Sequence, residues 1–341
     1  MILFFVVTVP TFSSATFLTV RNSQNILVAI TPVLLLGLGQ TFVIIAAGID
    51  LSVGWVMSLG SVLSALAMRG AFNSGLPVFA AVICGLLAAV AGAAVVGLVN
   101  GTIIAKLKVP AFIVTLGTSF IVRGIALLMS ENTTVIGLPD IRAYGNDSLF
   151  YLVRGEGGGF YFLTPPTISG DMLRQMDRIL VWPVVMTAVV VAIAMFILRR
   201  TQFGRHTYAI GGNMEAARRA GIPVDRRIIV IYALSAATAG IAGFLSTLRF
   251  TAGSAVIGDP LLLSSIAAVI IGGVSLFGGA GTIIGTVIGS LIIAVLTTGL
   301  VMLNVQAFWQ FIVVGAVVII AVLIDQSRDL IVGKQQSRGS T

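Results

Sequence analysis

The sequence predicts an all-α, polytopic membrane protein of about ten transmembrane helices, some of them broken or re-entrant. Three observations carry the prediction. The 341-residue chain is 57% hydrophobic and 9% charged, with a mean hydropathy of +1.09, whereas a soluble domain carries roughly 25% charged residues. Apolar runs of about 20 residues recur, the length a helix needs to cross the hydrocarbon core. Strict apolar–polar alternation, the mark of a membrane β-barrel, does not recur.

Met1 to Pro10 is apolar, too short to span, and preceded by no basic residue. It is a poor signal peptide. It reads either as the end of a first helix that is truncated or unusually short, or as a half-inserted segment. Nine further spans follow at roughly 25–47, 52–69, 76–97, 109–130, 179–198, 228–248, 261–274, 282–303 and 307–325. The 52–69 run is weakened by Gly60 and several Ser, and 261–274 is too short for a full crossing and ends in glycines. The chain reads as one transmembrane domain over 1–327 and a tail over 328–341.

The loops orient these spans. Arg199 to Arg227 holds seven Arg against Glu215 and Asp225, a net +5 that belongs on the cytoplasmic side. Lys106 and Lys108, and the tail with Arg328, Lys334 and Arg338, are basic as well. The segment 131–178 has six acids and four Arg, net −2, and fits the outside. Ten helices counted from a cytoplasmic N-terminus put all four segments on these sides. Segment 131–178 also carries Gly157-Gly158-Gly159, Pro165-Pro166 and scattered aromatics. It reads either as a loop with short interfacial pieces over the outer mouth, or as a docking surface or gate for an external partner.

Several functions are excluded. The net charge of +8 sits mainly in loops between spans, so it signals orientation and not nucleic acid. With one Cys, Cys84, and one His, His206, the chain has no disulfide framework, metal site or His-based dyad. No catalytic residue is named. No GxxxxGK[ST] loop is present, so ATP-driven work must come from another chain.

Asp50, in AAGIDLSVG, is the one acid placed deep between apolar runs. A carboxylate there is costly and is a functional candidate by default. With Leu51 and Ser52 it can cap a new helix after a break at Gly48, alone or while also shaping a permeation path with Ser52 and Gly54. No intramembrane basic partner is evident. Coupled carriers usually need more buried acids or charge pairs, which argues against secondary transport. Arg123, about two turns from the outer end of its span, can snorkel. A second break, IGGVSLFGGAGTIIGTVIG from Ile271, offers Gly272, Gly273, Ser275, Gly278 and Gly279 as further path candidates. Gly281, Gly285 and Gly289 recur every four residues on one helical face and allow close helix packing. The two breaks match loosely at an offset of 225, a hint of internal repetition.

The stretch IGGNMEAARRAGIPVDRR, Ile210 to Arg227, is polar between long apolar runs. Asn213 can serve as N-cap, Glu215 lies in the first turn, and Arg218 and Arg219 lie in the last. Gly221 can close the helix in the left-handed region and Pro223 prevents continuation. A helix of about two turns is marginal alone and must pack against something. Ala216, Ala217 and Ala220 form a small face suited to a protein cleft; a helix lying on lipid would want bulky apolar residues.

Four stretches together resemble the permease subunits of bacterial ABC sugar importers of the ribose, xylose and galactose type. They are Gly39–Gly54 (GQTFVIIAAGIDLSVG), Lys108–Leu127 (KVPAFIVTLGTSFIVRGIAL), Phe203–Ile222 (FGRHTYAIGGNMEAARRAGI) and Ile266–Gly289 (IAAVIIGGVSLFGGAGTIIGTVIG). The resemblance covers most of the chain and implies a ten-helix permease of the bacterial inner membrane with both termini cytoplasmic. It implies a second permease subunit, identical or related, surrounded by membrane lipid. It implies an ATP-binding subunit with tandem nucleotide-binding domains, which holds ATP and Mg, and a periplasmic or lipid-anchored sugar-binding protein. The family pattern near GGNxxAAxxxGI is kept as Gly211 through Ile222, which makes Asn213 to Gly221 the coupling helix. Gly212, Asn213, Glu215, Ala216, Ala217, Arg218, Ala220 and Gly221 are then the residues expected to meet the ATPase. The short first helix and the long external segment depart from the family. A permease for a branched-chain amino acid or a nucleoside, or a carrier acting alone, are the alternatives.

Overall fold

The computed structural model describes residues 19–154, 158–164, 176–306, 308–317, 319, 320 and 323. The segment Met1 to Pro10 and the tail 328–341 lie outside these residues. Twelve helices and three strands follow in order among the described residues: α1 (Val20–Ile45), α2 (Val53–Asn73), α3 (Val78–Leu107), α4 (Ala111–Met129), α5 (Arg142–Asn146), β1 (Ser148–Val153), β2 (Phe160–Phe162), β3 (Met176–Val181), α6 (Trp182–Arg200), α7 (Gln202–Gly212), α8 (Met214–Arg219), α9 (Val224–Phe250), α10 (Leu261–Ile271), α11 (Ile283–Met302) and α12 (Phe308–Val317). Seven of these helices are long and apolar enough to cross a membrane, and α10 and α12 are shorter apolar helices.

Helix starts are written locally. Pro77, Pro110, Pro223 and Pro260 stand at the N-caps of α3, α4, α9 and α10, and Pro183 lies in the first turn of α6. Proline has no N–H to lose there, and its fixed φ suits the first turn. Thr282 instead caps α11 with its hydroxyl, which accepts from the Gly285 amide at 3.0 Å. The weak 52–69 run forms a full helix, and two of its serines find hydrogen-bond partners inside the bundle. Ser58 Oγ bonds the Gly54 carbonyl at 3.3 Å, and Ser61 Oγ shares a hydrogen bond with Thr247 Oγ1 at 2.9 Å. The third span runs ten residues further than the apolar run at 76–97, to Leu107. Its polar Asn100 is fully enclosed by neighbouring helices.

α9 is the hub. It packs along α3, α2 and α1, and α1 in turn packs on α11, α10 and α6. Small residues let the backbones approach: a Cβ on Gly97 would stand 2.3 Å from the Tyr232 carbonyl oxygen, and one on Gly243 2.3 Å from that of Met57. Such contacts replace a hydrophobic drive that lipid does not supply between helices.

The segment 131–178 is more structured than a loop with interfacial pieces. Its described part forms α5 and an antiparallel three-stranded sheet in the order β2-β1-β3, with Phe150 opposite Phe162 and Tyr151 opposite Tyr161 and Arg178. Tyr151 is buried against Val153, Met176 and Tyr161, and its hydroxyl accepts from the Ser148 amide at 3.0 Å. The sheet sits at the end of the bundle opposite α7 and α8, docked by β3 on α1 and by α5 on α9. Arg123 does not simply reach for the interface: its guanidinium stands 4.7 Å over the ring of the buried Trp55.

Candidate functional site

The coupling segment is two helices, not one. α7, which sequence reasoning left inside a loop, is capped by Thr201, whose hydroxyl accepts from the Gly204 amide. α8 follows after one residue. Asn213 Oδ1 accepts from the Ala216 amide at 2.9 Å. At the other end the Gly221 amide bonds the Arg218 carbonyl and the Ile222 amide bonds the Ala217 carbonyl, each at 3.1 Å, with Gly221 at φ +79°. This paired closure needs a left-handed residue, which glycine supplies without strain. Both termini of a six-residue helix are thus satisfied by residues within the segment itself.

The face presented differs from the one expected. Ala217 is buried, 4% exposed, in the same core as Val224 and Ile228. It anchors α8 to its own chain. Met214, Glu215, Ala216, Arg218, Arg219 and Ala220 are exposed. Arg218 pairs with Asp225 at 3.1 Å and lies 3.9 Å from Glu215, and Lys108 reaches the same Asp225 oxygen at 3.0 Å. These exposed pairs orient α8 against the starts of α4 and α9 and add little stability.

α7 locks the segment to the membrane helices. A Cβ on Gly211 would stand 1.7 Å from the carbonyl oxygen of Ile45, the last residue of α1. The Gly279 amide donates to that same oxygen at 2.8 Å, and Tyr208 Oη donates to the Gly281 carbonyl at 2.7 Å. His206 Nδ1 accepts from Arg227 Nε at 3.1 Å. Burial and the charges of Arg227 and Arg205 hold that imidazole below its ordinary 6.5, in the neutral form that can accept.

Asp50 is fully enclosed at the break between α1 and α2. Oδ1 accepts from the Ser52 amide at 3.0 Å and from Ser52 Oγ at 2.6 Å, and Oδ2 accepts from Ser235 Oγ at 3.0 Å. Asn100 Nδ2 donates to Ser52 Oγ at 3.1 Å and accepts from Thr118 at Oδ1, while Gln40 donates to the Asp50 carbonyl. The carboxylate thus closes a turn one residue ahead of α2 and ties together α2, α3, α4 and α9. Both its oxygens are occupied.

The two glycine-rich breaks meet through Gly278, which lies against Ala47. Asp50 and Ser52 are joined to each other, and Gly54 faces the Gly258 carbonyl, but Gly272, Gly273 and Ser275 are not brought to them. Gly272 packs on Gly285. Gly278 and Gly279 lie against Ala47, Gly211 and Gly212, at the foot of the coupling segment. Gly285 and Gly289 set α11 on the Gly272 and Ala268 carbonyls of α10 and its end. Gly281 is not on that helical face: Thr282 caps α11, so Gly281 precedes the helix at φ +147° beside Val274.

Two features escaped the sequence. A non-helical stretch, residues 251–260, runs along α2, which explains why α10 is so short. The Gly258 amide bonds Ser58 Oγ at 3.0 Å and the Ser254 amide bonds Ser61 Oγ at 3.1 Å. At the sheet end, Arg21, Gln24, Asn146, Arg178 and Arg249 enclose a polar cavity of about 410 Å³. Its residues come from four separate segments, so no local motif announces it.

Comparison with known proteins is consistent across the chain. Residues 22–322 match the family described as branched-chain amino acid transport system / permease component. The fructose import permease protein FrcC of Rhizobium meliloti is 38% identical over 86% of this chain and 74% of its own length. The xylose transport system permease protein XylH of Haemophilus influenzae is 37% identical over 93% and 92%, and the ribose import permease protein RbsC of Bacillus subtilis 37% over 96% and 91%. No solved structure gives a significant match. With its apolar helices, its capped surface segment and matches over most of its length, the chain belongs to this family of ABC-importer permeases, a multi-pass transporter subunit of the bacterial inner membrane and not an enzyme.

Proposed function

We propose that this chain carries a monosaccharide across the inner membrane as the permease of an ATP-binding cassette importer. The observation that carries the reading is the α7–α8 unit: a doubly capped, exposed helix whose support is fastened to the end of α1. An exposed α8 offers Glu215, Ala216, Arg218, Arg219 and Ala220 to an ATPase subunit with tandem nucleotide-binding domains, which holds ATP and Mg. Movement of that subunit then pulls on Ile45 and the Gly278-Gly279 turn through α7. In this reading the α7–α8 end is cytoplasmic, as are both chain termini, and a substrate-binding protein meets the sheet end. A second permease copy or a related chain completes the pore. The fructose, xylose, ribose and allose permeases among the relatives place monosaccharides ahead of other small polar solutes.

Reconstitution decides it. The permease, its ATPase and its binding protein in proteoliposomes should take up labelled fructose, xylose, ribose or allose only when ATP and all components are present. Uptake by the permease alone would replace this reading with a carrier.

A further inference from the structure

We infer that Asp259, on the non-helical stretch before α10, lines the translocation path and accepts hydrogen bonds from a passing polyhydroxylated solute; the inference rests on the permease reading above. Its depth comes first. Residues 253–258 descend along α2, since Gly253 pairs with Val135 and approaches Ala65, while Gly258 abuts Gly54. Gly60 of α2 abuts Gly240, sixteen residues along α9. At 1.5 Å per residue that is about 24 Å from the start of α9, and Gly54 lies about 9 Å nearer that start. Asp259 therefore stands about 15 Å along a helix of about 40 Å, well inside a hydrocarbon core of about 30 Å.

Its surroundings come next. Asp259 is exposed, and among the described residues it has neither a hydrogen-bond nor an ion-pair partner. Asp50, at a similar depth, has both oxygens occupied. An unpaired carboxylate facing lipid at this depth is too costly to keep, so that face meets water or protein. The structure shows a cleft of about 470 Å³ there, within the roughly 300–1,000 Å³ of small-molecule sites. Val256, Asp259, Leu263 and Ser264 form one wall, and Phe311 and Val314 of α12 the other. A carboxylate and a hydroxyl beside an aromatic ring suit a sugar: the oxygens take its O–H groups and the ring takes its C–H face. Among the described residues no basic side chain lines the cleft, which disfavours an anionic solute.

The test uses the complete transporter in proteoliposomes. In a Cys84→Ala background, Asp259→Cys should react with a membrane-impermeant cationic methanethiosulfonate, while Phe120→Cys on the exposed face of α4 should not. Failure of Asp259→Cys to react would overturn the water-lined path. Asp259→Asn should raise the KM for labelled ribose, xylose or fructose about tenfold, the loss of one hydrogen bond to a charged group, with ATPase association unchanged. An unchanged KM would overturn the solute contact. If the unmodified complex transports none of these sugars, the permease reading fails in its cargo, and the thiol reactivity still decides whether Asp259 faces water.

Discussion

The Gly279 amide donates a hydrogen bond to the Ile45 carbonyl at 2.8 Å, and this contact joins the chain's two glycine-rich breaks. Gly211 of α7 rests on the same oxygen. A surface helix, the end of α1 and the turn before α11 thus meet through backbone atoms, with no side chain between them to absorb a displacement. Asp50 lies five residues beyond Ile45, at the head of the buried network that holds α2, α3, α4 and α9. The end of α1 on which α7 rests thus leads within five residues into this buried network.

Gly211→Ala should separate binding from transport. Its methyl group has no room against Ile45, and overpacking of this kind costs about 1–3 kcal/mol. ATP-driven uptake should fall about tenfold or more while co-purification of the ATPase persists. Gly117→Ala on α4, where an added methyl meets nothing within 4 Å, should behave as the unmodified protein. Equal uptake by the two variants would rule out the junction as a transmission point.

Substitutions on α8 should divide by face. Ala216→Trp and Ala220→Trp alter exposed positions and should abolish ATPase association with little change in the permease's melting temperature. Ala217→Trp enters the core and should destabilise the permease by about 1–3 kcal/mol before any partner is added. Retained association in both exposed-face variants would show that the ATPase grips elsewhere.

Removing the Asp50 carboxylate should loosen the break between α1 and α2. Asp50→Ala leaves the Ser52 amide and the Ser52 and Ser235 hydroxyls without their acceptor, at about 1–3 kcal/mol for each group left unpaired. Asp50→Asn keeps one acceptor oxygen and should fall between Ala and the original residue. Melting temperatures in nanodiscs order the three, and an alanine variant as stable as the parent would contradict this account of the network.

His206 should make the α7–α9 contact sensitive to acid. Its folded value lies below the unfolded 6.5, so its contribution to stability is complete above about pH 6.5 and is lost as pH falls through the folded value. Protonation removes the acceptor for Arg227 Nε and places two cations together. His206→Gln keeps an acceptor that does not titrate and should flatten this part of the profile. Melting curves between about pH 8 and about pH 5 test it, and parallel profiles for both proteins would refute it.

The sequence by itself determined what depends on neighbours along the chain. Runs of apolar residues specify the long helices, Pro and Thr mark where several begin, and Asn213 and Gly221 cap α8, because each effect acts within a turn or two of its own residue. The tertiary structure decided which of these helices lie inside. In an 18-residue apolar window of α1 83% is buried, against 22% in that of α6, although both read as ordinary spans. Lipid is as apolar as a neighbouring helix, so hydropathy cannot rank them; close packing of small residues does. The same cause turned Ala217 inward, set Gly278 and Gly279 at the foot of α7, and laid residues 251–260 along α2. Those placements depend on contacts between residues two hundred or more positions apart, such as Gly258 on Ser58 and Gly279 on Ile45, which no local pattern in the chain encodes.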